Sequence, residues 1–221
     1  MPLDTTIFIS EFWEPSDRAI ETNVKGLKGK VRWSGEPARI LTNGNCWVHP
    51  YDQDSMCQTE TQPLFIDQWH RIRFISGTAL SYMWYALQDH QMYIAEVEGE
   101  DTVPLPISGL HINSGQRYSV LIKGKTAAEV QSSRHNFYWM FGSTISRPVK
   151  VPSMIAFYYP EVQRQPTQRD LHPRMETANE NSPEYEWLPY EAPPYNPAQQ
   201  ASQRNFDASA YGRLYCQGLQ G

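Results

Sequence analysis

Charge is scarce in this chain. Of 221 residues only 19% are charged, and 24 acidic against 19 basic side chains leave a formal net charge of −5. No basic stripe is present to neutralise phosphates, so composition offers no electrostatic case for a nucleic-acid partner or an anionic membrane. The single basic cluster, Lys25, Lys28, Lys30 and Arg32, is interrupted by Gly26 and Gly29 and reads as a solvated loop. Apolar runs are short as well. None approaches the ~18 residues of a membrane helix. The first residues, MPLDTTIFISEFWEPSDRA, lack a basic segment followed by an apolar run. On this reading the expectation is a soluble, intracellular protein.

Cysteine is nearly absent too. Cys46, Cys57 and Cys216 make an odd count, so they cannot all pair within one chain. A Cys46–Cys57 bridge is possible; free thiols in a reducing compartment are the expectation. The G-x-S-x-G, Walker and H-E-x-x-H patterns are missing. Helical stripes are missing as well, apart from a short alanine-containing segment at Lys125–Ser132 that permits one helix.

What the chain does have is strand signal. Aromatics make up 13%, and 17 prolines and 13 glycines supply turns. Thr5–Glu11 places Ile7 and Ile9 on one face, and Ala38–Thr42 ends at the turn dipeptide Asn43-Gly44. His70–Ser76 points Ile72 and Phe74 inward and Arg71 and Arg73 outward. Tyr82–Gln88 and Met92–Glu98 flank Asp89-His90-Gln91 and read as a hairpin. Ile107–Ile112 follows a bend at Pro104 and Pro106. Gln116–Lys123 alternates with Tyr118, Val120 and Ile122 on one side, and Asn136–Phe141 and Ser153–Tyr159 complete the set. About ten short strands, with prolines expected between them, predict an all-β antiparallel Greek-key sandwich over residues 1–160. Glu96, Glu98, Glu100 and Asp101 read as a solvated, acidic edge. Residues 161–221, rich in Pro, Gln, Glu and Asn, are expected to be an extended or disordered tail, with Tyr185, Trp187, Tyr190 and Tyr195 able to lie over the sandwich.

Six segments, in order, carry a family resemblance. They are Ala38–Gly44 (ARILTNG), Arg71–Ser76 (RIRFIS), Leu87–Met92 (LQDHQM), Ile94–Gly99 (IAEVEG), Gly115–Leu121 (GQRYSVL) and Phe137–Trp139 (FYW). Together they resemble the middle, cupredoxin-like domain of the multicopper oxidases, the laccase and ascorbate oxidase family, over about Thr5 to Tyr159. The resemblance implies copper-dependent oxidation of phenolic or pigment-precursor substrates. It also implies what such chemistry needs: a copper held by one Cys and two His, and a three-copper cluster held by eight histidines in His-x-His pairs.

The copper-binding part is missing here. The histidines are His49, His70, His90, His111, His135 and His172; no two form His-x-His, and six cannot supply eight. Cys46-Trp47-Val48-His49 with Met56 superficially resembles the ligand loop of a small blue-copper protein. It lies before the main strands, however, and no histidine precedes it, so an ordinary loop or disulfide cysteine is expected. His90 reads as a polar turn residue bonded to backbone, and His70 and His111 as surface or edge residues. No catalytic, cofactor-binding or metal-ligating residue is therefore nominated. Copper is implied by the family only, and any activity would need copper-bearing domains on another chain. The alternatives are a non-catalytic interaction module and a truncated paralogue without activity of its own.

Overall fold

The computed structural model describes residues 3–26, 34–47, 57–133, 137–145 and 149–162. The tail from 163, His49, His135 and His172, and the basic residues Lys28, Lys30 and Arg32 lie outside the described residues.

Alternating burial builds the first sheet. β1 (Leu3–Phe12) buries Ile7 and Ile9, β5 (Trp69–Ser76) buries Ile72 and Phe74, and β10 (Arg117–Lys123) buries Tyr118, Val120 and Ile122. Around them stand β2 (Arg39–Thr42), β3 (Asn45–Cys46), β7 (Met92–Val97) and β8 (Glu100–Ile107), in the order β3-β2-β1-β5-β10-β7-β8. The facing sheet contains β4 (Glu60–Pro63), β6 (Tyr82–Leu87), β9 (Leu110–Ile112), β11 (Tyr138–Ile145) and β12 (Pro152–Tyr158), in the order β4-β12-β11-β6-β9. Its inward residues include Met83, Tyr85, Tyr138, Met140, Ile155 and Phe157, and the two sets share one core. The all-β sandwich is thus as the alternation implies. Two pairings, β1 with β5 and β4 with β12, run parallel; the others are antiparallel.

Two turns explain the local order. Asn43 and Gly44 (φ 51° and 81°) join β2 to β3, and Glu98 and Gly99 (φ 54° and 95°) join β7 to β8. Positive φ at both central residues matches the twist of a two-residue hairpin.

The structure corrects two strand expectations. Tyr82–Leu87 and Met92–Val97 do not form a hairpin: β6 pairs with β11 and β9, whereas β7 pairs with β10 and β8. Residues 88–91 therefore carry the chain from one sheet to the other. The acidic turn at Glu98-Gly99 is the hairpin instead. Prolines also occur within strands. Pro104 and Pro106 lie in β8 and Pro63 in β4, all on edge strands, where a missing N–H is tolerated.

Two helices complete the described elements. α2 (Ala127–Ser132) falls within the segment the sequence permits, and Thr126 and Glu129 close it with a reciprocal capping box. α1 (Asp17–Lys25) was not foreseen; Ser16 caps it, and none of its residues is buried. Lys25, the first of the basic cluster, is its last residue and pairs with Glu21 one turn earlier.

One flank of the sandwich is clasped. Cys46 at the end of β3 is disulfide-bonded to Cys57, with Cα atoms 5.1 Å apart. This corrects the expectation of free thiols. Nearby, the Glu60 carboxylate on β4 accepts from Asn43 (2.9 Å), Gln62 (2.7 Å) and Asn45. An edge of each sheet is thereby tied to the other.

Candidate functional site

Three histidines belong to the described residues, and each is held by its own partners. His70 on β5 is only 3% exposed, and its Nε2 accepts the Phe65 N–H at 2.9 Å. The Phe65 ring stacks on it, 5.9 Å away and nearly parallel. Burial pushes its pKa down, against the backbone hydrogen bond from Phe65 and the charge of Glu161. His111 on β9 is 5% exposed, with Nδ1 at 3.2 Å from the Tyr82 hydroxyl, and burial lowers its pKa too. His70, on an interior strand, is therefore neither a surface nor an edge residue, whereas His111 does lie on an edge strand, as expected, but is buried there. In β5 the inward parity of Ile72 and Phe74 continues to position 70, and β9 is buried along its whole length.

His90 sits in the connection between the sheets. Its Nδ1 lies 2.8 Å from the Gln88 carbonyl, the backbone bond expected of a polar turn residue. The unforeseen partner is Tyr159, whose hydroxyl is 2.7 Å from Nε2. The ring packs edge-on against Tyr138 at 4.8 Å and stacks with Tyr159 at 6.1 Å. Burial drives the pKa down to about 4; Lys125 adds to the effect, and the Gln88 carbonyl, Asp89 and Glu129 oppose it.

The acidic segment also departs from expectation. Glu98 behaves as a surface group: its carboxylate accepts the Arg117 N–H at 3.0 Å, and its carbonyl accepts from the Arg117 guanidinium at 2.9 Å. Glu96 does not. Its side chain is 15% exposed and takes hydrogen bonds from Arg71 and Ser119, with Arg73 at 3.6 Å. Burial pushes its carboxyl up, but Ser119 and Arg71, with Arg73 behind them, outweigh this and hold it below its usual value. Arg71 reaches on to Asp101 and Arg73 to Asp4, so a charge network spans the outer face of the larger sheet. The signal in the sequence was the pair of arginines at outward positions 71 and 73, which both reach the single acid of β7, Glu96.

These groups do not assemble a copper centre. Copper takes neutral imidazoles and a thiolate. Cys46 has no thiolate to give while it is bonded to Cys57. The rings of His70, His90 and His111 are on β5, the β6–β7 connection and β9, each already hydrogen-bonded. Among the described residues no three His, Cys, Asp or Glu side chains cluster to hold a metal. Also among them, no helix is long and apolar enough to cross a membrane.

Comparison with known proteins agrees with the fold and the motifs. The multicopper oxidase family matches residues 4–157. A multicopper oxidase of Gibberella zeae, aurL2, is 32% identical over 148 residues, which are 66% of this chain and 24% of that protein. The L-ascorbate oxidase of Cucurbita pepo var. melopepo is 28% identical over 171 residues, 71% of this chain and 30% of that enzyme. The chain thus spans roughly a quarter to a third of these relatives. Among solved structures, Fet3p, a multicopper oxidase that functions in iron import, superposes with a TM-score of 0.57 at 15% identity, covering 75% of this chain and 29% of that one. The laccase from Botrytis aclada gives 0.55 at 17% identity, covering 77% and 32%. With the matched family spanning most of the described sandwich, this chain belongs to the multicopper oxidases and carries one of their cupredoxin-like domains.

Proposed function

We propose that this domain is the middle, copper-free domain of a laccase-like oxidation system. Its part is structural: it holds a position between copper-bearing domains, which belong to a longer polypeptide or to a separate chain. The substrates would then be phenols or pigment precursors. One observation carries this reading. The cysteine that most resembles a copper ligand, Cys46, is committed to a disulfide that ties the sheet edges together. The same bridge favours an oxidising compartment.

The test is to express the chain, load it with copper and measure oxidation of a phenolic dye. No turnover is expected from the chain alone, and turnover when copper-bearing domains are restored to it. Oxidation by the isolated chain would refute the proposal. A second reading, a non-catalytic interaction module, is favoured by the exposed apolar side chains of β1: Leu3, Phe8 and Phe12 are each at least 43% exposed. Co-purification with an intact laccase, without any gain in oxidation, would select that reading.

A further inference from the structure

The buried end of β12 is held through a line of hydrogen bonds that runs in one direction. A neutral imidazole has one donor nitrogen and one acceptor. The Gln88 carbonyl can only accept, so Nδ1 of His90 carries the proton. Nε2 must then accept, and it takes the Tyr159 O–H at 2.7 Å. The Tyr159 oxygen in turn accepts the Lys125 backbone N–H at 2.8 Å. Three separate elements meet here: the β6–β7 connection, the segment before α2, and the chain leaving β12. Tyr159 is fully buried, and burial pushes its phenol pKa up, so it stays a hydroxyl.

A proton added at Nε2 breaks this order. Both nitrogens of His90 then donate, and two donors point at the Tyr159 oxygen while its own proton has to turn away. The other groups around the ring do not compensate. Tyr138 presents its ring from β11, with the Lys125 ammonium 5.4 Å from that ring's centre. Asp89 in the connection and Glu129 on α2 act only as weaker, opposing charges. We propose that the line Lys125–Tyr159–His90 is an acid-opened latch on the exit of β12: neutral His90 holds the Tyr159 hydroxyl, and protonated His90 releases it. The latch governs where the chain leaves β12.

The Lys125 amide reports the latch directly, because its proton lies in the Tyr159 bond. Its hydrogen exchange, corrected for intrinsic rate, is followed by NMR on the full chain. An opened His90 regains its ordinary value of 6.5, against about 4 when closed. Opening therefore becomes easier by up to about tenfold per pH unit as pH falls from 6.5 to 4, about 300-fold in all, and levels off below. In His90→Gln, neutral throughout, this fall is expected to vanish. Protection that stays constant in the wild type, or an equal fall in His90→Gln, would overturn the latch. If that variant fails to fold, the wild-type imidazole titration decides: a midpoint near 4 supports the latch, and one near 6.5 removes it.

Discussion

Gly142 on β11 lies against the ring of Tyr85 on the neighbouring strand. A Cβ there would sit 2.3 Å from one ring carbon and within 2.9 Å of two others. The ring cannot retreat, because Tyr85 is fully buried and its hydroxyl donates to Ser153, itself 3.1 Å from Thr42 on the other sheet. Gly142→Ala is expected to lower stability by about 1–3 kcal/mol through overpacking, seen as a lower urea midpoint. Glu96 offers a second case. Its carboxyl is held below its usual value, so the stabilisation is complete above the unfolded pKa and is lost as pH falls through the folded one. Glu96→Gln should therefore cost on the order of 1–3 kcal/mol at pH 7, by leaving Arg71 short of a partner. The difference between variant and wild type should shrink below about pH 4; an equal difference at both pH values would contradict the ion-pair account.

At the level of elements, the clasp on the β3–β4 flank is the feature with the largest leverage. Cys46–Cys57 closes a short loop, and removing such a bridge costs about 2–3 kcal/mol in the chain-entropy view. The paired change Cys46→Ser with Cys57→Ser is expected to lower the thermal midpoint without changing the circular dichroism of the sheets, since Glu60 still joins Asn43 and Asn45. Loss of sheet signal would mean that the bridge, not the core, holds the flank. This scale also shows what sequence can reveal. β1, β5 and β10 were readable because period-two alternation follows directly from one face meeting the core. The partner of β7 was not, because two adjacent strands joined by four residues look alike whether they pair or part between sheets. The disulfide was equally hidden, since spacing carries no Cα distance.

For the whole molecule, six ordered segments located the family, and the match over residues 4–157 coincides closely with the Thr5–Tyr159 span that they mark. Family legibility came from local motifs that specify turns and strand ends. The roles of the histidines were less legible. Burial of His70 and His111 depends on parity and sheet position, and the Tyr159 partner of His90 lies 69 residues away in sequence. The sandwich explains why such a domain can stand without copper. Its core of inward aromatic and branched residues is continuous between the sheets, and His70 and His90 serve the hydrogen-bonding of connections.

The central claim, that this domain supports copper chemistry without binding the metal, is tested most directly by metal analysis. The purified full chain is incubated with copper, passed over a gel-filtration column with a competing chelator, and its copper content and visible spectrum are recorded. The account predicts no stoichiometric copper and no intense blue band. One or more copper ions retained per chain, with that band, would contradict it.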